Sequence, residues 1–298
     1  MSPTRTRTAT MAAVTVLLAL VTGGVSAAAP ASADVGIQAL PSPLRFTSSL
    51  DLECFRTNPY TPPTTTVLTR HINPVLTGLP AETHVLGGRE KLCVPVAKNG
   101  MIPPVGVVDF VRYVDLSCYR ISGASVAFPL NLRHLNPLFS TSVPPKNVTI
   151  FYPQHLCLPV IKNGVVPPPE VLSLVRFIDL KCYIETPQVP LNRTVTLSHL
   201  NPVLAGLAAH GAAITFNRQL CVPVQKNNMA IPAAILNIVR WVDLELYDIQ
   251  TPGLPAAITL QLRHINPALA NLPPEIAVIQ QAFQLGLPVA KNGLIPPA

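Results

Sequence analysis

Arg112-Tyr113-Val114-Asp115-Leu116-Ser117-Cys118-Tyr119 alternates with a period of two, placing Val114, Leu116 and Cys118 on one face and Tyr113, Asp115, Ser117 and Tyr119 on the other. That alternation predicts a half-buried strand with its cysteine turned into the core. The string recurs as SLDLECF at Cys54, FIDLKCY at Cys182 and WVDLELY at Leu246, and the four aligned positions are 64 residues apart. Downstream of each lies LCVPVAKNG, LCLPVIKNG, LCVPVQKNN or LGLPVAKNG, at Cys93, Cys157, Cys221 and Gly286. Between the two landmarks stands His-x-Asn-Pro, starting at His71, His134, His199 and His264. Three ordered landmarks in four copies define four tandem units, at 43–106, 107–170, 171–234 and 235–298, preceded by a leader at 34–42.

Within a unit, Val148-Thr149-Ile150-Phe151 and Leu156-Cys157-Leu158 read as separate strands, and Thr194-Val195-Thr196-Leu197 as another. Asn201-Pro202 suits a helix N-cap and first position, which predicts one or two helical turns there. Lys-Asn-Gly predicts a tight turn through positive φ. Prolines number 34 in the chain and follow these turns, as at Pro103-Pro104 and Pro167-Pro168. At that density they rule out long helices. The fold class expected is all-β: four tandem units of short strands, each with one short helical turn and three closed by a disulfide. A tandem array is favoured over closure into a ring.

The six cysteines divide without remainder within units, as Cys54–Cys93, Cys118–Cys157 and Cys182–Cys221, while the fourth unit has Leu246 and Gly286 at both positions. Pairing between neighbouring units would strand Cys54 and Cys221. Zinc ligation is disfavoured because no close C-x-x-C pair is present.

Met1 to Ala33 has the parts of a signal peptide: Arg5 and Arg7, the apolar run Met11 to Val21, and Ala31-Ser32-Ala33. Cleavage after Ala33 predicts a secreted, extracellular chain with no membrane span in its mature form. The formal charge of +7 loses Arg5 and Arg7 on cleavage, and what remains is too dispersed for a nucleic-acid surface. Charged residues are 12% of the chain, about half the usual ~25%.

No catalytic, cofactor-binding or metal-ligating motif is recognised, and no cofactor is expected. His71, His134, His199 and His264 recur at one structural place, as do Asp51, Asp115, Asp179 and Asp243. Recurrence points to a role in the fold, with the imidazole tied to backbone, or to a binding position repeated in each unit. Asp is expected to pair with its own unit's His or Lys-Asn-Gly turn. His84, His155 and His210 share no landmark and read as surface residues. Phe55, Tyr119, Tyr183 and Tyr247 match one another and could cover a neighbouring unit or form a row for a ligand.

The pattern D-L-x-C-Y followed by L-C-x-P-V-x-K-N-G resembles a family of secreted bacterial repeat domains of unknown function. The resemblance spans residues 43–298, with H-x-N-P standing where such repeats often carry an Asp-Gln-Phe-like stretch. It implies secretion and paired cysteines, and no activity. The functional expectation is a non-enzymatic secreted protein that binds a cell-envelope component or an extracellular protein, or serves a structural role there. The alternatives are a protease inhibitor presenting its Lys-Asn-Gly loops, and a hydrolase with a site between units.

Overall fold

The computed structural model describes residues 39–298, so the predicted signal peptide lies outside the described residues. The first unit contains α1 (Pro43–Ser48), β1 (Asp51–Tyr60), β2 (Thr66–His71), β3 (Glu82–Val85) and β4 (Arg89–Lys98). The second contains α2 (Val108–Val111), β5 (Leu116–Arg120), β6 (Phe128–His134) and β7 (Lys146–Lys162). The third contains α3 (Pro169–Val175), β8 (Leu180–Thr186), β9 (Pro190–His199) and β10 (His210–Lys226). The fourth contains α4 (Ala233–Val239), β11 (Leu244–Gln250), β12 (Ile258–His264) and β13 (Glu275–Lys291). The protein is mainly β, as its alternation and proline content require.

The strands close. β1 pairs with β4, β4 with β5, β5 with β7, β7 with β8, β8 with β10, β10 with β11, β11 with β13, and β13 returns to β1, each pair antiparallel. The result is an eight-stranded barrel rather than the expected open array. The physical reason is edge strands: a disulfide can join two strands within a unit, but both outer edges of that ribbon stay unpaired. Ring closure covers every such edge with the next unit.

A second set of pairings crosses the ring. The His-x-Asn-Pro strand of each unit first pairs within its unit and then, at its histidine end, with the unit two places on. His71 lies opposite Val224, His134 opposite Val289, His199 opposite Val96 and His264 opposite Val160. The Lys-Asn-Gly turn completes the crossing. Asn99, Asn163, Asn227 and Asn292 all have positive φ, and each side-chain Oδ1 accepts a backbone N–H from the opposite unit at 2.8–2.9 Å. One asparagine therefore both turns its strand and extends a pairing across the barrel.

Alternation along the strands separates two cores. Leu52, Cys54, Cys93, Leu116, Cys118 and their counterparts point into the barrel and meet apolar side chains of the four helices, including Phe46, Phe110, Leu174 and Ile238. The other strand face carries Leu92, Val94 and Val96 toward the outer strands. The helices precede the D-L-x-C strands, a position the sequence reading did not assign to helix. Pro169 stands at the start of α3, where its missing N–H costs nothing. Val171, Leu174 and Val175, spaced three and four apart, form its buried stripe. In α4, Ile235, Ile238 and Val239 repeat that spacing.

Other local expectations change as well. The strand at Cys118 begins only at Leu116, because Arg112 caps α2 and forms a turn with Tyr113, leaving Val114 and Asp115 as a short link. The two strands expected around Phe151 and Cys157 are one, β7, which bulges at Pro153 instead of breaking. After His-x-Asn-Pro the chain makes successive turns, closed by Leu204 N–H to Asn201 O and Leu207 N–H to Leu204 O at 3.0 Å each.

The three disulfides join Cys54–Cys93, Cys118–Cys157 and Cys182–Cys221. They form a belt inside the barrel, completed in the fourth unit by Leu246 facing Gly286. No helix among the described residues is long and apolar enough to cross a membrane.

Candidate functional site

The helices occupy the barrel on one side of the disulfide belt. On the other side the interior turns polar and opens into a cavity of about 790 Å³. All eight barrel strands contribute to its wall. Two residues beyond the D-L-x-C landmark position stand Arg56, Arg120, Ile184 and Asp248; two residues before the second landmark stand Lys91, His155, Gln219 and Gln284. Because strand side chains alternate, these eight share the inward face with the belt.

Lys91 forms the floor, fully buried, donating from Nζ to Gln219 Oε1 at 2.9 Å and to Gln284 Oε1 at 2.8 Å. Burial pushes its ammonium down to about 7, against the opposing pull of Glu90 and Asp248. Gln219 Nε2 donates to His155 Nδ1 at 3.0 Å, and His155 Nε2 lies 2.7 Å from Glu90 Oε2. Burial lowers His155 to about 4, so the neutral ring donates to Glu90, and that hydrogen bond together with Arg120 holds Glu90 down at about 2.

At the rim Arg218 pairs with Asp248, while the Arg56 guanidinium lies 4.2 Å over the Phe283 ring. The wall holds four arginines and Lys91 to two carboxylates, with Arg89 itself paired at 2.8 Å with Glu275 behind it. Such a concave, net-positive surface can hold an anionic ligand.

The recurrent residues lie elsewhere. Asp51, Asp115, Asp179 and Asp243 are buried and pair with Lys98, Lys162, Lys226 and Lys291 of their own units. Each also accepts from the asparagine of another unit's His-x-Asn-Pro: Asn136 to Asp51 at 2.9 Å, Asn201 to Asp115 at 2.6 Å, Asn266 to Asp179 at 2.9 Å and Asn73 to Asp243 at 2.7 Å. The four lysines of the Lys-Asn turns are therefore turned inward and not displayed.

The histidines are buried too, but they meet side chains rather than backbone. Nε2 of His71, His134 and His264 contacts the hydroxyl of Tyr183, Tyr247 and Tyr119 at 2.8, 3.1 and 2.9 Å. Those tyrosines are fully buried against a unit two places away and form no exposed row. Tyr119 donates to Glu275 and Tyr247 to Glu245, the latter at 2.7 Å, and burial raises all three phenols well above their ordinary value. His199 faces Phe55 instead of a tyrosine.

His84 and His155, expected at the surface, are buried, because each sits on an inward position of its strand. His84 contacts Ser122 O at 2.8 Å and Thr69 Oγ1 at 3.1 Å. His210 is partly buried against Glu53.

Sequence reasoning passed over the cavity residues because they do not repeat. Difference was the available signal: alignment of the four units shows one residue type at the Asp and His positions, and Lys, His, Gln, Gln or Arg, Arg, Ile, Asp around the mouth. No family model matches the chain, and no curated protein or solved structure matches it.

Proposed function

We propose that this is a secreted, non-enzymatic binding protein whose ligand site is the polar mouth of the barrel, and that its ligand carries a carboxylate, phosphate or sulfate group. One observation carries the reading: Lys91, the floor of a cavity lined by Arg56, Arg120 and Arg218, is oriented by two glutamine carbonyls, which leaves one ammonium N–H uncommitted to them. The cavity lies in the usual size range for small-molecule sites, roughly 300–1,000 Å³. Four related units thus build one central site in place of four repeated weak ones. The resemblance to secreted repeat domains and the three disulfides support an oxidising, extracellular setting. An anionic envelope component or extracellular metabolite fits that setting. Burial of the Lys-Asn turn lysines removes the feature on which an inhibitory loop would depend. The recurrent His and Asp residues occupy separate structural clusters, so they do not assemble a hydrolytic pair.

The test is calorimetric titration of the mature chain with sulfate, inorganic phosphate and succinate, alongside Lys91→Gln. Saturable binding by the wild type that falls at least roughly tenfold in the variant supports the site, as expected for loss of a charge-assisted contact. Absence of binding to all three anions, or equal binding by the variant, overturns it.

A further inference from the structure

The four buried clusters around the His-x-Asn-Pro histidines are equivalent in place but not in composition. In three, a tyrosine hydroxyl sits on Nε2 of the histidine. In the fourth the phenol is missing, because the residue after Cys54 is Phe55. A second imidazole, His210, stands there instead, beside Glu53, a carboxylate of the kind that Glu245 and Glu275 supply to the clusters of His134 and His264. Glu53, from β1, and His199, at the end of β9, have side chains with no solvent exposure, and His210, at the start of β10, is exposed by 15%.

Glu53 Oε1 lies 2.8 Å from His210 Nε2, and Glu53 Oε2 lies 3.6 Å from His199 Nε2. One ligand atom from each residue falls within 4.8 Å of the others. Both nitrogens of His199 and Oε2 of Glu53 are buried with no hydrogen-bond partner. Buried polar atoms are normally satisfied, and here two unsatisfied ones, Glu53 Oε2 and His199 Nε2, face each other, whereas an unpartnered Nδ1 is shared with His71, His134 and His264. The His210 ring also hydrogen-bonds the backbone of Ala208, the kind of outer contact that orients a ligating imidazole.

We propose that Glu53, His199 and His210 form a binding site for one divalent transition-metal ion of the zinc class. Two imidazoles and a carboxylate are a borderline donor set that favours such ions over calcium or magnesium. The spacings suit ligand atoms each about 2.0–2.2 Å from one centre. Partial exposure of His210 supplies the entry path, and the remaining coordination position would go to water or to a ligand atom from outside. The site lies on the outer strand face with Glu53 and Phe55, opposite the face that lines the mouth, so it is independent of anion binding there.

Two variants separate a metal site from a structural cluster. His210→Gln removes an accessible ligand. Phe55→Tyr restores the hydroxyl found in the other three clusters and should place it on His199 Nε2. Zinc titration by calorimetry, with cobalt(II) absorption as the coordination readout, is expected to show one ion per wild-type chain. Both variants should keep their melting temperature in metal-free buffer and lose zinc affinity by roughly tenfold or more. Failure of the wild type to bind zinc or cobalt overturns the proposal, as does binding of equal affinity in folded His210→Gln and Phe55→Tyr.

Discussion

Leu246 faces Gly286 across β11 and β13 in the same register in which Cys54 faces Cys93 across β1 and β4. A Cβ added at Gly286 would lie 3.0 Å from Leu246 Cδ2. The leucine has taken the space that a second sulfur would need, so the two replacements are one change. Leu246→Cys with Gly286→Cys should close a fourth bridge. Thiol titration of the unfolded, unreduced double variant should find no free thiol, and stability should rise by about 2–4 kcal/mol. Gly286→Ala alone should destabilise the protein by about 1–3 kcal/mol through crowding. Two free thiols in the double variant would contradict the register.

Closure of the ring makes unit removal costly. Without 235–298, β1 loses β13, β10 loses β11 and β7 loses β12. Residues 34–234 should therefore lack a cooperative melting transition, whereas an open array would keep one with three units. Circular dichroism against temperature distinguishes the two.

The Asp–Lys–Asn clusters are buried ion pairs, and breaking one should cost more than omitting it. Lys162→Met leaves Asp115 with Asn201 as its side-chain partner and should destabilise by about 3–5 kcal/mol. Lys162→Met combined with Asp115→Leu should recover part of that loss, because no uncompensated charge remains. Urea denaturation of the single and double variants measures both.

Lys91 should drive affinity and stability in opposite directions with pH. Its folded value, about 7, lies below the ordinary 10.5. Between these values the unfolded chain holds more protons, so this group's contribution to stability rises with pH across that window. Sulfate, whose charge is constant there, should bind best below about pH 7 and progressively more weakly above it as the ammonium is lost. In Lys91→Gln both trends should flatten. Parallel affinity and melting curves for the two proteins provide the check.

The β class and the disulfide pairs were legible because they depend on local alternation and on spacing. Leu116 and Cys118 show their inward face in sequence, and the joint change at Leu246 and Gly286 reveals the pairing. Closure was not legible, since what joins β13 to β1 is backbone hydrogen bonding, to which side-chain identity contributes little. The helices escaped notice because seven residues such as Pro169–Val175 hold barely two turns of apolar spacing. The mouth escaped because Lys91, Gln219 and Gln284 lie far apart in the chain and converge only when eight strands close. His199 resembled its three counterparts, and the difference that isolates it resides in Phe55, on a strand of another unit.

The residues that hold the barrel together and those that line its mouth are different sets. Asp, Lys, Asn and the crossing histidine strands bear the architecture, while the mouth positions flanking the belt differ in side chain from unit to unit. Each of those positions is supplied by a separate strand segment, so a duplicated ancestor could diversify its chemistry at the axis while every copy kept the same scaffold. A ring of like parts thereby acquires a handed, unequal inner surface, and the proposed ligand would meet a different side chain on each side of the axis.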